Sequence, residues 1–420
     1  MEEGFKVGII GGGAAGLFAA CQLKRLAGGN PVQVTLLEKT NIPGKKLTLT
    51  GHGRCNITNR KDASKLKKGY HEASNFIYPA LKEFGPEDTM AFFENELGLK
   101  LKEEENNRIF PVCDSAVKVR DRLLSYISDC TEIINDAKVK KITKKDGFEV
   151  VTDKGSFHFD YVILCCGGSS FSKTGSTGDS FRLASSLGHR IEPVRGALVP
   201  VVADSGSVTL CKDLSGVSVT AGVSLFFEDK KTASLAGELL FADFGLTGPA
   251  VMEISREVPS DLTGRKAWLE LDLVPSMNDE EFDLEFQRQI GEHPDTKITT
   301  ILSRYTPASV AEAVAAKAGV SGLYAQGFTK ENRKKVCREA KHLKIGIGKS
   351  PDLEKAYVTR GGVSLSEIDR KTMGSKLVLG LYIIGEALDI DGISGGYNLQ
   401  ACMSEAYLAV KDIMAKAEIF

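Results

Sequence analysis

The residues with the plainest chemical purpose are Gly11-Gly12-Gly13-Ala14-Ala15-Gly16, a G-x-G-x-x-G set between an apolar run and an alanine-rich one. Gly11 permits a tight turn, Gly13 lets the backbone approach a diphosphate, and Gly16 allows a helix to lie close on a strand. The first N–H groups of such a helix have no partner within it, and its dipole favours an anion there. Glu38 stands 22 residues after Gly16, at the end of the next apolar run. Its carboxylate is placed to accept hydrogen bonds from an adenosine ribose. The chemistry is dinucleotide binding, and the glycines alone do not separate FAD from NAD.

The elements that must position these residues surround them. Phe5–Ile10 reads as a buried strand, Ala14–Leu26 as a helix and Val32–Leu37 as a second strand. That βαβ opening implies a parallel sheet. Lys65 to Ile134 reads as mostly helical and amphipathic, with polar loops around Lys102–Asn107. Lys138–Thr143, Phe148–Thr152 and Ser156–Phe159 then read as short strands, with turn signals at Asp146-Gly147 and Lys154-Gly155. Tyr161–Cys165 is another buried strand, ending in Gly167-Gly168.

Four segments are expected. Residues 1–197 form the first part of a Rossmann domain, and 198–277, rich in short alternating runs, an inserted barrel-like β-domain. Residues 278–344 form an inserted helical domain, with Phe282, Phe286, Ile290, Val310 and Val314 at helix spacing. Residues 345–420 return to the first domain with a strand near Leu381, a glycine-rich loop and a last helix. One face of that helix carries Leu399, Cys402, Met403, Ala406, Val410 and Ile413.

Composition narrows the functional classes. A chain of 420 residues exceeds what one core usually organises. The net charge of −1 argues against a nucleic-acid surface as the main purpose. Nine cysteines without a CxxC pair indicate neither zinc nor a disulfide framework, and no histidine spacing points to a metal. Reduced thiols fit the cytoplasm. Val7–Leu23 is uncharged, but Glu2 and Glu3 precede it and glycines break it, so neither a signal peptide nor a membrane span is expected.

Further motifs follow in a fixed order. Gly44-Lys45-Lys46 leads to Thr50-Gly51-His52-Gly53-Arg54-Cys55-Asn56-Ile57-Thr58-Asn59, and Lys173-Thr174-Gly175-Ser176-Thr177-Gly178-Asp179 follows the strand ending at Gly167. Gly237–Phe241 leads to Gly245-Leu246-Thr247-Gly248-Pro249. Near the end stand Gly385-Glu386-Ala387-Leu388-Asp389-Ile390-Asp391-Gly392 and Gly395-Gly396-Tyr397-Asn398-Leu399-Gln400. In this order they resemble the YhiN/HI0933-like (BaiN-like) flavoprotein family, in which FAD-dependent aminoacetone oxidases are described.

The resemblance covers essentially the whole chain and implies an α/β, glutathione-reductase-like Rossmann domain that binds FAD, interrupted by a β-domain and a helical domain. His52 stands where the family more often has a small residue, and Ala242-Asp243 where a Thr-His pair is common.

The expected cofactor contacts are Gly11, Gly13, Ala14, Ala15, Gly16, Glu38, Lys39, Lys45, Lys46, Gly51, Arg54, Cys55, Asn56, Val139, Cys166, Gly167, Gly385, Glu386, Asp391, Asn398 and Leu399. Cations and amides in 45–56 would neutralise phosphates and bind the ribityl chain or flavin edge. Glu386 would hold a ribityl hydroxyl, and the helix opening at Tyr397 would stabilise negative charge in the reduced ring. His52, Asp243 and Tyr397 are the candidate proton carriers. The expected activity is hydride transfer between a small organic substrate and flavin N5, with reoxidation by oxygen or reduction by NAD(P)H. Amine oxidation and enone or steroid reduction both stay open. A second class is a flavin-carrying binding or RNA-associated protein, supported by Arg333-Lys334-Lys335 and Arg338. A third is an NAD-dependent dehydrogenase.

Overall fold

Val7, Ile9 and Ile10 have no room for water, and the strand they belong to, β1 (Phe5–Ile10), forms the middle of a parallel sheet. The computed structural model describes residues 4–28, 31–350 and 352–417. They fall into two units, Met1–Arg195 with Tyr357–Phe420, and Gly196–Ala356.

In the first unit, β1 pairs with β2 (Val32–Leu37) on one side and with Tyr161–Leu164 on the other. Thr131–Ile134 lies beyond β2, and Leu381–Ile383 beyond Tyr161–Leu164. All four pairings are parallel. The chain leaves β1 through α1 (Ala14–Leu26) to reach β2, but the neighbour on the other side comes about 150 residues later. Strand order therefore reverses at β1. In open α/β sheets such a point opens a crevice beyond the carboxyl ends of the strands, where ligands bind.

The helix α1 buries Ala15 through Leu23, and Lys24 and Arg25 in its last turn complement the dipole. Its N-cap, Gly13, has no capping side chain. The expected meander forms from Val139–Lys144, Phe148–Thr152 and Gly155–Phe159.

The stretch expected to be helical as far as Ile134 is not uniformly so. Leu101–Glu104 and Arg108–Pro111 pair as a hairpin with Thr58–Asn59 on the far edge, and Thr131–Ile134 is the outer parallel strand. Asn106 and Asn107, at φ 62° and 59°, allow the reversal, since asparagine tolerates the left-handed region.

The last helix, Gly395–Ala417, is fixed by a buried polar network as well as its apolar face. Gln400 Oε1 accepts from the hydroxyls of Thr58 (2.6 Å) and Thr89 (3.0 Å). Its Nε2 donates to the Phe84 carbonyl and to Ser404 Oγ, which also donates to that carbonyl. Thr58, Thr89, Gln400 and Ser404 are completely buried.

The second unit has its own core, under a six-stranded antiparallel sheet. Its strand order is Val201–Val202, Gly245–Thr247, Lys230–Ala242, Ser218–Phe227, Ala267–Asp272 and Leu343–Gly346. The helices between the last two begin with Asp279–Glu292, whose Asn278 and Glu281 form a reciprocal cap. Phe282 and Phe286 stack at 5.7 Å in that core.

Replacing Gln400 by Leu strands the Thr58 and Thr89 hydroxyls without an acceptor. We expect a loss of about 3 kcal/mol, because each buried polar group left unpaired costs about 1–3 kcal/mol. Denaturant unfolding of Q400L against the wild type checks this; an unchanged midpoint would show that the network carries no stability.

Candidate functional site

At the end of β1 the chain turns through Gly11, at φ 110°. A Cβ there would stand 2.6 Å from the Cys165 carbonyl oxygen, so only glycine fits. A Cβ on Gly16 would overlap the Gly11 carbonyl oxygen, which is how closely α1 lies on the turn. Gly13 differs: no atom comes within 4 Å of the position its Cβ would take. The uncapped start of α1 thus faces open space, as a diphosphate cradle requires.

Glu38 flanks this turn. Its carboxylate accepts from the Gly12 N–H (2.8 Å) and the Thr40 N–H (2.7 Å), fixing the glycine loop to the end of β2. Gly44 N–H closes the same loop on the Gly12 carbonyl at 2.7 Å. Lys39 reaches Thr177 Oγ1 and Asp179, so the segment after Gly167 is tied to the end of β2. Gly167 has φ 76° and packs against Ser176. Val139 is buried, and its carbonyl accepts from Arg182. Cys166 Sγ contacts the Ile10 carbonyl, and burial pushes its thiol up to about 12.

A second group meets where the chain returns. Lys46 Nζ lies 2.6 Å from Glu386 Oε2 and donates to Ser170 Oγ. Glu386 Oε1 accepts from Ser170 Oγ (2.7 Å) and from the Thr359 N–H (2.6 Å). Burial works against the charge on Glu386, but Lys46 and the two further donors outweigh it and hold its carboxyl below the usual range. Lys45 is half-buried beside Lys46. Ser170 and Thr359 were not among the expected residues. Ser170 follows the glycine pair that ends a strand and Thr359 stands just before the pair Gly361-Gly362, so glycine pairs were the signal that could have found both.

Gly385 joins this group to both helices. Its φ is 70°, and a Cβ on it would meet Ala15 Cβ at 2.8 Å and Cys402 Sγ at 3.5 Å. Ala15 is in the first turn of α1, and Cys402 is in the last helix. That helix begins at Gly395, two residues before the expected opening at Tyr397. The amides of Tyr397 and Asn398 are taken by the Ser394 carbonyl, so the outward N–H groups belong to Gly395 and Gly396. Open space surrounds the Gly395 Cβ position, whereas Gly396 packs on Asn56. The Asn398 side chain closes the preceding loop through Gly392 and Ser394. Leu399 and Asp391 are buried beside it.

The loop 50–56 is strained. Gly51, His52 and Gly53 are consecutive left-handed residues, and Cys55 is a fourth at φ 67°. His52 is exposed. Arg54 is forked onto Glu104 at 2.8 and 3.0 Å and stacked 4.1 Å over Phe110. Cys55 is buried, with its thiol pushed up to about 12. The Tyr397 ring is buried against Tyr70, and its hydroxyl accepts from Lys61 at 3.1 Å. Asp243 belongs to the second unit, exposed in the turn between Lys230–Ala242 and Gly245–Thr247. Among the described residues, no group of three ligating side chains could hold a metal, and no helix is long and apolar enough to cross a membrane.

A glycine turn at a strand-order reversal, an acid at the end of β2 and a returning carboxy-terminal helix define a flavoprotein oxidoreductase of Rossmann type. The chain belongs to the HI0933-like family, whose Rossmann-domain model matches residues 5–412. It is 32% identical over 411 residues to a 3-dehydro-bile acid delta(4,6)-reductase of Clostridium scindens, covering 96% of this chain and 98% of that protein. It is 30% identical over 419 residues to a ribosomal RNA dihydrouridine synthase of Haemophilus influenzae, covering 96% and 97%. In fold it is similar to 3-ketosteroid delta1-dehydrogenase from Sterolibacterium denitrificans, with a TM-score of 0.55, 13% identity, and coverage of 99% of this chain and 100% of that one.

The depressed Glu386 carboxyl makes a pH prediction. A group whose carboxyl is lowered by folding stabilises the fold above the unfolded value and loses that contribution as pH falls through the folded one. Glu386→Gln should cost about 2 kcal/mol at neutral pH, the scale of charged hydrogen bonds. It should also flatten the acid side of the stability profile. Thermal unfolding across acid to neutral pH checks this; parallel wild-type and E386Q profiles would refute it.

Proposed function

We propose that the first unit binds FAD and that the protein uses it to reduce a carbon–carbon double bond conjugated to a carbonyl in a small organic substrate. The observation that carries the reading is Gly385, wedged between the first turn of α1 and the last helix. It holds the first turn of α1 against the last helix at Cys402, about two turns in from that helix's start, which supports one site served by α1 for the diphosphate and by the last helix for the flavin.

The residues divide the work. Gly13, Ala14 and Ala15 present N–H groups to the diphosphate, and Glu38 holds the ribose end. Lys45 and Lys46 supply positive charge along the middle, and Glu386 offers a carboxylate to a ribityl hydroxyl. Gly395 and Gly396 place the positive end of a helix dipole where the reduced ring carries negative charge. Bound FAD supplies the hydride. His52 is the proton donor we favour, being exposed and held out by a strained loop, whereas the Tyr397 hydroxyl is committed to Lys61.

The reductive direction rests on the relatives. A delta(4,6)-reductase and a dihydrouridine synthase share the saturation of a double bond conjugated to a carbonyl, although their substrates differ in size and polarity. NAD(P)H is the proposed reductant, bound without a second glycine fingerprint. The purified protein should be yellow. Its flavin should bleach with NAD(P)H without oxygen and recover when an enone is added. A colourless protein, or a flavin that neither NAD(P)H nor amines reduce, sinks the proposal. Oxygen uptake with aminoacetone would reverse its direction. Replacing His52 by Gln should lower turnover by about a hundredfold and leave FAD content unchanged.

A second reading makes the substrate a uracil base in RNA, as the name of the Haemophilus relative states for that protein. Lys334, Lys335 and Arg338 are exposed on the helix Lys330–Lys341, although Arg333 is bound to Asp283 and Lys335 to Glu331. Salt-sensitive RNA retention together with dihydrouridine formation would select this reading over a free small molecule.

A further inference from the structure

Glu405 lies on the last helix with its side chain completely buried. Its Oε2 accepts the Gly385 N–H at 2.5 Å, and its Oε1 has no partner. The titratable groups around it are Tyr70 from the 67–73 segment and Cys402 from its own helix. Cys402 is in turn within electrostatic reach of Glu386, Lys46 and Cys165. Among the described residues, no cation is paired with Glu405. The amide it holds belongs to the wedged Gly385, and the next residue is Glu386, already ionised against Lys46.

From this geometry we propose that Glu405 is a proton-holding positioning residue for the cofactor turn, neutral while Gly385-Glu386 holds FAD and deprotonated when the turn lets go. The proposal rests on the FAD reading above. A neutral acid still accepts the Gly385 N–H. An ionised one would add an uncompensated negative charge near the paired Glu386 in a dry interior and disfavour an incoming diphosphate. Burial pushes the Glu405 carboxyl up to about 8, so both forms are accessible near physiological pH. Because the anionic ligand favours the protonated form, binding takes up a proton from solvent, and affinity falls as pH rises through the folded value.

The test follows FAD fluorescence as the apoprotein is titrated at several pH values, with proton uptake read in buffers of different ionisation enthalpy. Wild-type affinity should fall about tenfold between about pH 7 and pH 9, and binding at pH 8 should take up a measurable fraction of a proton. Glu405→Gln, which keeps an acceptor for Gly385, should bind FAD with a flat profile and no uptake in this range. Parallel profiles for wild type and E405Q overturn the proposal. If E405Q does not fold, the absence of proton uptake by the wild type at pH 8 overturns it alone. If the wild type binds no FAD at any pH, the cofactor reading fails. The apoprotein then decides on Glu405 itself: E405Q must abolish a loss of thermal stability that the wild type shows as pH rises from about 5 to about 8, and equal profiles refute the buried acid.

Discussion

The ion pair between Lys46 and Glu386 joins residues 340 positions apart, and the first unit cannot be assembled without deciding how that pair is satisfied. Their side chains are 24% and 18% exposed, so both charges are largely removed from water. Such a pair seldom stabilises a fold merely by existing, because desolvation offsets much of the attraction. Here the remaining capacity of the carboxylate is filled by Ser170 and by the Thr359 amide. Four segments therefore converge on one carboxylate: the loop after β2, the loop after Tyr161–Leu164, the strand containing Thr359, and the turn after Leu381–Ile383. The pair acts as a register mark for the cofactor crevice.

Glycine makes that convergence sterically possible. At Gly11 and Gly16 the reason is contact, since any side chain would enter the Cys165 or Gly11 backbone. At Gly385 it is conformation and contact together. Gly13 and Gly395 stand at helix starts where no atom lies within 4 Å of the position a Cβ would take, so packing does not demand glycine there. The same residue type has two uses within one crevice, and only coordinates separate them.

Much of this was legible beforehand. The βαβ opening announced itself because buried parallel strands are continuous apolar runs and the turn from β1 into α1 is all glycine. The face of the last helix was equally plain from its spacing. The hairpin at 101–111 was not, because Lys102, Glu103 and Glu104 give no apolar alternation. The start of the last helix was placed late because two glycines read as loop. Side-chain partnerships were the least legible feature. Arg54 looked like a free donor, yet its fork is filled by Glu104, 50 residues on in a hairpin the pattern concealed. Thr359 reaches Glu386 through its own backbone amide, and Glu405 accepts a backbone amide, bonds that leave no spacing to detect.

These partnerships also explain why binding residues are numerous and candidate proton carriers few. A flavin brings its own reactivity, so the protein must hold it, set its charge environment and expose one face. Lys39, Lys46, Arg54, Glu38 and Glu386 are all anchored by partners within the first unit, and anchored groups are suited to fixed electrostatics. A proton carrier needs the opposite, a side chain with access and no committed bond. In the first unit His52 meets that description among the expected candidates, and it does so because Gly51 and Gly53 hold its backbone in a left-handed conformation. The strain that makes residues 51–53 costly for folding goes with an exposed His52 imidazole, two residues before an Arg54 committed to Glu104.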